Sequence, residues 1–307
     1  MPLVSVIIVA HERTLTLKKA IDSTLQQTYK DIEIIVVANK ISGEVRSILN
    51  DYQNVNFFEI IELPEYVNAN IARNKGIAES NGSLIAFLDD DDWWAESKIQ
   101  KQVKLLAEDL KISLVYTGTR RIFDDSYYED VLPDIKYSGL IGDKIFETII
   151  TTTSSILVRK NVLTELDNFD ENLLYWQEYD LLIRMSTKYF VSFVPEILMY
   201  QTVNTMSRKR MSNNFDKWVA SIDYLYGIKH KNRIKQLDSP TNKKRLAFYN
   251  WDAINRLDSQ KRIFKRVPYF FMWIRYSEAW KWKKAWFFLI TGKPIRYLFI
   301  SKNHTIR

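Results

Sequence analysis

The chain has 307 residues but no cysteine, and its only histidines are His11, His230 and His304. Without cysteine it can form neither disulfide bonds nor thiolate-bound zinc sites, and three scattered histidines argue against a histidine-rich metal site. An absence of disulfides fits a reducing compartment. We therefore expect a cytoplasmic protein in which any metal ion is held by oxygen ligands.

Long hydrophobic runs are also missing. The longest apolar segments, 267–274 and 285–292, fall well short of the roughly 18 apolar residues that a membrane-spanning helix needs. The apolar run near the N-terminus has no basic residues before it and is rich in β-branched residues. We interpret that run as a first buried strand, not as a signal peptide.

Acidic residues are scarce in the last third of the chain. Residues 208–307 contain 24 Lys and Arg but 6 Asp and Glu, whereas the preceding residues contain 20 and 31, for a net charge of +7 overall. Six of the nine tryptophans also follow residue 207. The composition thus divides the chain into an acidic first two-thirds and a basic, aromatic last third.

Strand-like and helix-like patterns alternate over the first 120 residues. Apolar, β-branched runs predict strands over 4–10, 32–38, 55–61, 83–88 and 113–119, and apolar periodicity predicts helices over 15–28, 44–50, 68–80 and 95–108. This alternation predicts an α/β fold with a mostly parallel central sheet covered on both faces. A further strand is expected over 154–159, a helix over 176–189, and a mainly helical region from about residue 215.

Four consecutive aspartates, Asp89 to Asp92, follow the predicted strand over 83–88. In open α/β sheets, ligands bind beyond the carboxyl ends of the strands. Adjacent carboxylates repel each other unless a cation or hydrogen-bond donors offset the charge, and their oxygen atoms suit Mg²⁺ or Mn²⁺. The local chemistry favours a metal-bridged diphosphate, and a solvated acidic turn is the alternative.

Four segments carry a resemblance to a known family: VSVIIVAHER, LQQTYKDIEIIVVA, ANIARNKGIAESNGSLIAFLDDDDWW and FDENLLYWQEYDLLIR. In this order and spacing they resemble family 2 glycosyltransferases with the GT-A fold, over about residues 3–208. The resemblance implies a domain over 1–207, with a nucleotide-binding half at about 1–119 and an acceptor half at about 120–207. Residues 208–307 lie outside the resemblance, and their pattern predicts a helical extension.

The resemblance also implies roles for individual residues. Asp91 would bind the metal ion, Mn²⁺ or Mg²⁺, while Asp89 and Asp90 would face the nucleotide sugar. Arg73 falls on a motif beside the nucleotide pocket. Glu178 falls where the family has its catalytic base, which accepts the proton of the acceptor hydroxyl.

For three further residues, a structural role is expected or is the alternative to a role in the site. Asp92 is expected to hold the aspartate loop through hydrogen bonds. Asn74 lies on the same motif as Arg73, with a helix cap as the alternative. Asp180 lies four residues before Arg184, and we interpret it as part of a helical ion pair.

The sequence departs from the family pattern at two strand ends. Ala38 and Asn39 stand where the family has paired aspartates, one of which contacts the base of a uridine nucleotide. The sequence therefore does not establish which nucleotide base the donor carries. The first strand ends in Val9-Ala10-His11-Glu12, where the family usually has Pro-x-Tyr-Asn. We expect Ala10, His11, Glu12 and Asn39 to line the nucleotide-sugar site. Further along, Asn204, Arg208 and Arg210 are candidates for metal or diphosphate contact.

The function expected from the resemblance is inverting, metal-dependent transfer of a sugar from a nucleotide-diphosphate donor to a glycan or lipid-linked acceptor, as in polysaccharide biosynthesis. A rival function is that of a nucleotidyltransferase that makes the nucleotide sugar, although residues 10–19 contain no glycine. The chain could instead be an inactive scaffold, or a nucleic-acid-binding protein that uses the basic aromatic region. Its acidic first two-thirds argue against nucleic acid.

The basic aromatic segment 276–303 has the composition of segments that lie at an anionic membrane surface. Packing of its aromatic residues within the protein or across a dimer is an equally good interpretation. Peripheral attachment to the cytoplasmic face of a membrane and oligomerisation therefore both stay open.

Overall fold

A computed structural model describes residues 1–123, 127–203, 214–260 and 262–277. The chain divides into two compact units. The first contains residues 1–122, 130–142 and 150–203, and the second contains residues 123–129, 143–149 and 204–307.

The described part of the first two-thirds of the chain alternates strands with helices. The strands are β1 (Val4–Ala10), β2 (Ile32–Asn39), β3 (Phe58–Leu63), β4 (Leu84–Asp89), β5 (Asp92–Trp94), β6 (Ile112–Phe123), β7 (Tyr127–Val131), β8 (Leu157–Arg159) and β9 (Phe190–Val203). The helices are α1 (Leu15–Leu25), α2 (Gly43–Asn50), α3 (Ala69–Glu79), α4 (Lys98–Glu108), α5 (Lys160–Glu165) and α6 (Gln177–Met185). Short 3₁₀ helices lie at Ile135–Tyr137, Gly142–Glu147 and Thr153–Ser155.

The sheet has strand order β3-β2-β1-β4-β8-β6-β9-β5. The pairs β3/β2, β2/β1 and β1/β4 are parallel, which confirms the α/β class and the parallel sheet predicted from the first hundred residues. The pairs β4/β8, β8/β6 and β5/β9 are antiparallel. The carboxyl ends of the parallel strands therefore meet at one edge, beside strands that arrive from the later part of the chain.

Helices cover both faces of β1, which explains why its sequence is apolar except for Ser5. Successive side chains of a strand point to opposite faces. On one face, Val6 and Ile8 belong to a buried cluster with Leu17 of α1. On the other, Ile7 contacts Gly76 of α3, where an added Cβ atom would lie 2.6 Å from the Ile7 Cγ2 atom. The close approach of α3 to β1 thus requires glycine.

Several predicted boundaries differ from the structure, and two strands were not predicted. The third strand begins at Phe58, three residues later than predicted, because Phe57 has a left-handed backbone (φ 60°) that ends a preceding turn. The strands β5 and β9 were not predicted. β5 consists of three residues overlapping the aspartate run, and β9 contains Pro195, which weakens the sequence pattern of a strand.

A buried carboxylate holds the amino ends of the strands together. Glu33 of β2 accepts hydrogen bonds from the hydroxyl of Ser5 in β1, and from the backbone N–H groups of Asn81 (2.6 Å) and Gly82 (3.0 Å), just before β4. An added Cβ atom at Gly82 would lie 2.7 Å from the backbone nitrogen of Ser5. This network therefore fixes the turn between α3 and β4.

The described part of the second unit is mainly helical, as predicted from residue 215 onward. It contains α7 (Phe215–Ile222), a π-helix (Asp223–Lys229), α8 (Lys231–Lys235), α9 (Ser239–Ser259), a 3₁₀ helix (Ile263–Arg266) and α10 (Val267–Tyr276). In its core Trp218 stacks on Tyr249 with ring centroids 5.3 Å apart, and Trp251 contacts Trp273 at 5.1 Å. These tryptophans of the basic region therefore pack against other aromatic residues.

Most of the segment 276–303, on which the membrane hypothesis depends, lies outside the described residues. Within the described ranges, every helix is too short or too polar to cross a bilayer.

We predict that Glu33→Gln lowers the free energy of unfolding by about 1–3 kcal/mol at pH 7, because buried N–H donors lose a charged acceptor. Hydrogen bonds from Ser5, Asn81 and Gly82 outweigh the effect of burial, so the pKa of Glu33 is lowered. A lowered pKa gives stability that is present above the ordinary glutamate pKa, about 4.3, and is lost as the pH falls through the folded-state value.

Urea denaturation at pH 7 and pH 3 measures this effect. The difference between the wild-type protein and the variant should be smaller at pH 3. The exposed Glu59→Gln on β3 is the matched control and should retain wild-type stability at both pH values. Equal stability of Glu33→Gln and the control at pH 7 would contradict the assigned role.

Candidate functional site

The four aspartates form the turn between β4 and β5, at the carboxyl edge of the parallel strands. Their side chains differ in accessibility: Asp89 is 37% exposed, Asp91 is 15% exposed, and Asp90 is 4% exposed. Asp92 is buried. The turn thus directs Asp89 and Asp91 outward and keeps the other two carboxylates within the protein.

Ser154 fixes the two ends of this turn. Its hydroxyl accepts a hydrogen bond from the backbone N–H of Asp89 (3.1 Å) and donates one to the Asp92 carboxylate (2.7 Å). Its carbonyl oxygen accepts a hydrogen bond from the indole of Trp94 (2.7 Å). These contacts agree with the prediction that Asp92 holds the loop.

Arg13, in the loop between β1 and α1, contacts the two central aspartates. One guanidinium nitrogen, Nη1, pairs with Asp90, and Nη2 lies 3.3 Å from the Asp91 Oδ2 atom. The backbone N–H of His11 also donates to Asp90 (3.2 Å). Burial and the neighbouring Asp91 raise the pKa of Asp90 to about 6, although Arg13 and His11 favour its charged form.

Arg73 of α3 is 4% exposed, so it is not part of a surface ion pair. Its Nη2 atom lies 2.7 Å from the Asp89 Oδ1 atom, and its guanidinium lies 5.7 Å from the ring centroid of Phe169. A buried arginine beside a partly exposed aspartate keeps positive charge next to the turn. The structure therefore brings Arg73 and Asp89 together in one ion pair.

Two asparagines of α3 bind the loop that precedes α6. The Asn70 side chain donates to the carbonyl oxygens of Asp170 (2.7 Å) and Leu173 (3.0 Å). Asn74 donates to the carbonyl oxygen of Phe169 (2.9 Å) and accepts from its N–H (3.1 Å). In this structure the Asn74 amide holds this loop; the side chain that caps α3 is that of Asn68.

Glu178 lies in the first turn of α6, and Thr153 donates a hydrogen bond to its Oε2 atom (3.1 Å). Part of the Glu178 surface stays accessible, but burial of its carboxylate raises its pKa. Arg73 opposes this shift and Asp89 adds to it, so both groups act on Glu178 electrostatically. The segment Thr153–Ser154 thus connects Glu178 with the aspartate turn.

The residue before α6, Trp176, has a left-handed backbone (φ 59°, ψ 39°), which is uncommon for a bulky residue. Its ring is buried and packs edge-on against Tyr179, with centroids 5.4 Å apart. Further along the helix, the Asp180 carboxylate lies 2.9 Å from the Arg184 Nε atom, which confirms the predicted ion pair.

His11 and Asn39 lie at the ends of β1 and β2, on the same edge of the sheet. The His11 Nδ1 atom is 2.7 Å from the carbonyl oxygen of Asn39, and the imidazole lies 4.9 Å from the Tyr66 ring. The Nδ1 atom therefore carries the proton in the neutral ring, and Nε2 is an acceptor. Ala10 is buried at the end of β1, and Glu12 is exposed beside the imidazole.

The Asn39 side chain is 3% exposed and already paired. Its amide nitrogen donates to the carbonyl oxygen of Val67 (2.8 Å), and its amide oxygen accepts from the N–H of Val67 (3.0 Å). Both amide groups are thus occupied by backbone. This geometry favours a role in positioning the loop before α3 over direct contact with a base.

The sequence interpretation missed Arg13, Thr153 and Ser154. Arg13 follows the VSVIIVAHE segment directly, and a run of hydroxyl residues, Thr151–Ser155, precedes the strand β8. A run of hydroxyl residues next to an apolar strand indicates a possible site. It does not show which side chains those hydroxyl groups contact. Asn204, Arg208 and Arg210, which were also candidates, lie outside the described residues.

Comparison with known proteins gives matches over most of the chain. Residues 5–166 match the model of the family described as Glycosyl transferase family 2. An uncharacterized glycosyltransferase from Rickettsia prowazekii is 33% identical over 216 residues, which are 66% of this chain and 67% of that protein. An uncharacterized glycosyltransferase from Rickettsia bellii is 31% identical over 203 residues, 62% of this chain; the match spans 28% of the length of that relative.

A solved structure shares the fold. The mannosyltransferase PcManGT from Pyrobaculum calidifontis, in complex with GDP-Man and Mn²⁺, has a TM-score of 0.61 and 16% sequence identity, and the match covers 97% of this chain and 83% of that one. The α/β fold predicted from the sequence is therefore of the GT-A glycosyltransferase type.

We predict that Asn39→Ala and Asn39→Asp each lower the free energy of unfolding by about 1–3 kcal/mol, because buried groups of Val67 lose their partners. In Asn39→Asp, a carboxylate oxygen would also face the Val67 carbonyl. Thermal unfolding measures the loss. The control is Asn54→Asp in an exposed turn, which should unfold like the wild-type protein. Wild-type stability of Asn39→Asp would show that the pairing with Val67 is unimportant.

Proposed function

The chain belongs to the glycosyl transferase family 2, and on this basis we propose that it transfers a sugar, with inversion, from a nucleoside diphosphate sugar to a hydroxyl group of a glycan or lipid-linked acceptor. The observation that carries this proposal is the convergence of Asp89, Arg73 and Glu178 at the carboxyl edge of the parallel strands. We assign the reaction to a catalytic domain over about residues 1–207.

The donor would lie along the ends of β1, β2 and β4. His11 offers an acceptor nitrogen and an aromatic face for the base, while Ala10 and Glu12 shape the end of β1 beside it. Asp89, held by Arg73 at 2.7 Å, would face the ribose side of the nucleotide. Asn39 would contribute by fixing the loop before α3.

The donor set of the aspartate turn fits a metal ion that arrives with the diphosphate. Among the described residues, no group of three or more acidic or histidine side chains could enclose an ion without further ligands. Mg²⁺ and Mn²⁺ usually take one or two carboxylates together with substrate phosphates. Asp91 would supply the carboxylate, and the bound ion would stabilise negative charge on the leaving diphosphate.

Glu178 would act as the general base. Its carboxylate would accept the proton of the acceptor hydroxyl while the hydroxyl oxygen forms a bond to the anomeric carbon. The bond from this carbon to the diphosphate breaks at the same time, and the electron pair leaves with the diphosphate. The hydrogen bond from Thr153 orients the carboxylate, and its raised pKa makes it a stronger base.

The rival functions have less support. A nucleotidyltransferase would need a glycine-rich loop after β1, and residues 10–19 contain no glycine. A nucleic-acid-binding role would rest on the basic region, whose described tryptophans pack against other aromatic residues. Attachment to an anionic membrane at the cytoplasmic face stays a hypothesis about residues 276–303, and the oligomeric state stays open.

The donor can be identified by a thermal-shift screen with UDP, GDP, CDP and dTDP sugars, each with and without Mn²⁺. A ligand that binds the folded protein raises the unfolding temperature. We expect one nucleotide class to stabilise the protein, more strongly with Mn²⁺. If no sugar nucleotide stabilises the protein in either condition, the proposed function is wrong.

We predict that Asp91→Asn removes the extra stabilisation that Mn²⁺ gives in this screen, because the ion loses a carboxylate ligand. Stabilisation by the same nucleotide without metal should persist. The control Asp51→Asn, at the exposed end of α2, should behave like the wild-type protein. An unchanged Mn²⁺ effect in Asp91→Asn would exclude this residue as the metal ligand.

We predict that Glu178→Gln lowers kcat by at least about 100-fold without weakening donor binding, because positioned proton transfer contributes about that much. Release of the nucleoside diphosphate with a responsive acceptor measures the rate, and the exposed Glu165→Gln is the control. Because the pKa of Glu178 is raised, the wild-type rate should fall as the pH drops through a value above the ordinary glutamate pKa, about 4.3. A wild-type rate in Glu178→Gln would rule out the base.

A further inference from the structure

Arg13 places a positive charge where the proposed function needs a metal ion. Its guanidinium pairs with Asp90 through Nη1 and lies 3.3 Å from the Asp91 Oδ2 atom through Nη2. Asp91 is the carboxylate that we assign to the metal. The same carboxylate therefore faces a cation that belongs to the chain.

The two aspartates hold Arg13 unequally. Asp90 is 4% exposed and also accepts the backbone N–H of His11, so it is fixed within the protein. Asp91 is more accessible and lies farther from the guanidinium, at 3.3 Å. The contact between Arg13 and Asp91 is thus the weaker of the two and can be broken while Asp90 stays in place.

Arg13 is also partly exposed to solvent. It lies in the short loop between β1 and α1, and 45% of its side chain is exposed. Two other arginines of the same unit are less exposed: 5% of the Arg73 side chain and 16% of the Arg184 side chain are accessible. A half-exposed side chain on a loop can change rotamer without disturbing the core.

A divalent ion on Asp91 and a guanidinium on the same carboxylate would repel each other at close range. A diphosphate offers the guanidinium a new partner, because arginine binds phosphate oxygens through paired hydrogen bonds. The diphosphate of the donor would therefore provide oxygen ligands for the metal ion and a new binding partner for the Arg13 guanidinium.

We infer that Arg13 is a built-in counter-ion that a divalent metal ion must displace from Asp91, and that Arg13 then contacts the donor diphosphate. This inference rests on the proposed function, since it assumes that a metal ion and a diphosphate meet at the aspartate turn. Its consequence is that Mn²⁺ binds weakly to the free protein and more tightly in the presence of a nucleoside diphosphate. Such coupling is reciprocal, so the metal ion also tightens nucleotide binding.

Isothermal titration calorimetry with Mn²⁺ tests the inference, first without nucleotide and then with saturating UDP, GDP, CDP or dTDP. In Arg13→Gln we expect Mn²⁺ to bind about tenfold more tightly without nucleotide, because its competitor is gone. A nucleotide should also increase the Mn²⁺ affinity of Arg13→Gln by a smaller factor than in the wild-type protein, and the difference should be about tenfold. A variant that is merely damaged would not gain metal affinity.

Two further variants make the test specific. Lys18→Gln removes one positive charge from α1, where Lys18 contacts Tyr52 and Asp22, and it should leave Mn²⁺ affinity near the wild-type value. Arg13→Lys keeps the charge and should also bind Mn²⁺ like the wild-type protein without nucleotide. If Arg13→Gln does not fold, Arg13→Ala combined with the same titration provides the charge-free variant, and circular dichroism verifies folding.

The outcomes separate the two proposals. If the wild-type protein binds Mn²⁺ with a nucleotide, but the charge-free variants bind Mn²⁺ alone no more tightly than the wild-type protein does, the counter-ion role is overturned and the proposed function stands. If Lys18→Gln gains as much affinity as Arg13→Gln, the effect is one of net charge, and the specific role of Arg13 is also overturned. If the wild-type protein binds Mn²⁺ with none of the four nucleotides, the counter-ion role is overturned, and the thermal-shift screen with sugar nucleotides decides separately whether the proposed function stands.

Discussion

The repulsion among four consecutive carboxylates is the constraint on which the site depends. Each aspartate of the turn has a partner that offsets its charge: Asp89 meets Arg73, Asp90 meets Arg13 and the His11 backbone, Asp91 shares Arg13, and Asp92 meets Ser154. These partners come from α3, from the loop after β1, and from the segment before β8. The acidic turn can therefore form only when the surrounding fold is complete, which couples the geometry of the site to the packing of the sheet.

Carboxylates have different surroundings at the two ends of the parallel strands. At the amino ends, the Glu33 carboxylate is paired with Ser5, Asn81 and Gly82, and this pairing stabilises the turn before β4. At the carboxyl ends, Asp89 and Asp91 keep part of their surface exposed. A carboxylate that is fully paired contributes to stability, whereas one that is partly paired can still accept a ligand. The same strands thus carry a structural network at one edge and the candidate site at the other.

Local pattern was sufficient for the parallel half of the fold. The apolar runs of β1, β2 and β4 and the helices between them depend on short-range periodicity, which a single sequence displays. The antiparallel strands β5 and β9 pair residues about 100 positions apart, such as Trp93 with Tyr200, and no local pattern reports such pairing.

The same distinction applies to the site. Asp89 to Asp92 could be found because they are consecutive, and Glu178 could be found through the family resemblance. Arg13 and Ser154 reach the aspartates across 77 and 62 positions of sequence, so their roles appear only in three dimensions. For Asn39 the sequence suggested a contact with the nucleotide sugar, because the residue lies at a strand end. In the structure its side-chain amide is hydrogen-bonded to the backbone of Val67.

The left-handed backbone of Trp176 determines the register of α6. A helix cannot continue towards the N-terminus through a residue with this backbone. The helix α6 therefore begins at Gln177, and Glu178 is its second residue. One residue of slippage would rotate that carboxylate by about 100° around the helix axis and turn it away from Thr153. Glycine would adopt this backbone with less strain but would remove the buried ring that packs on Tyr179. The orientation of the Glu178 carboxylate is thus maintained by an unfavourable backbone torsion at Trp176, which the packing of the Trp176 ring offsets.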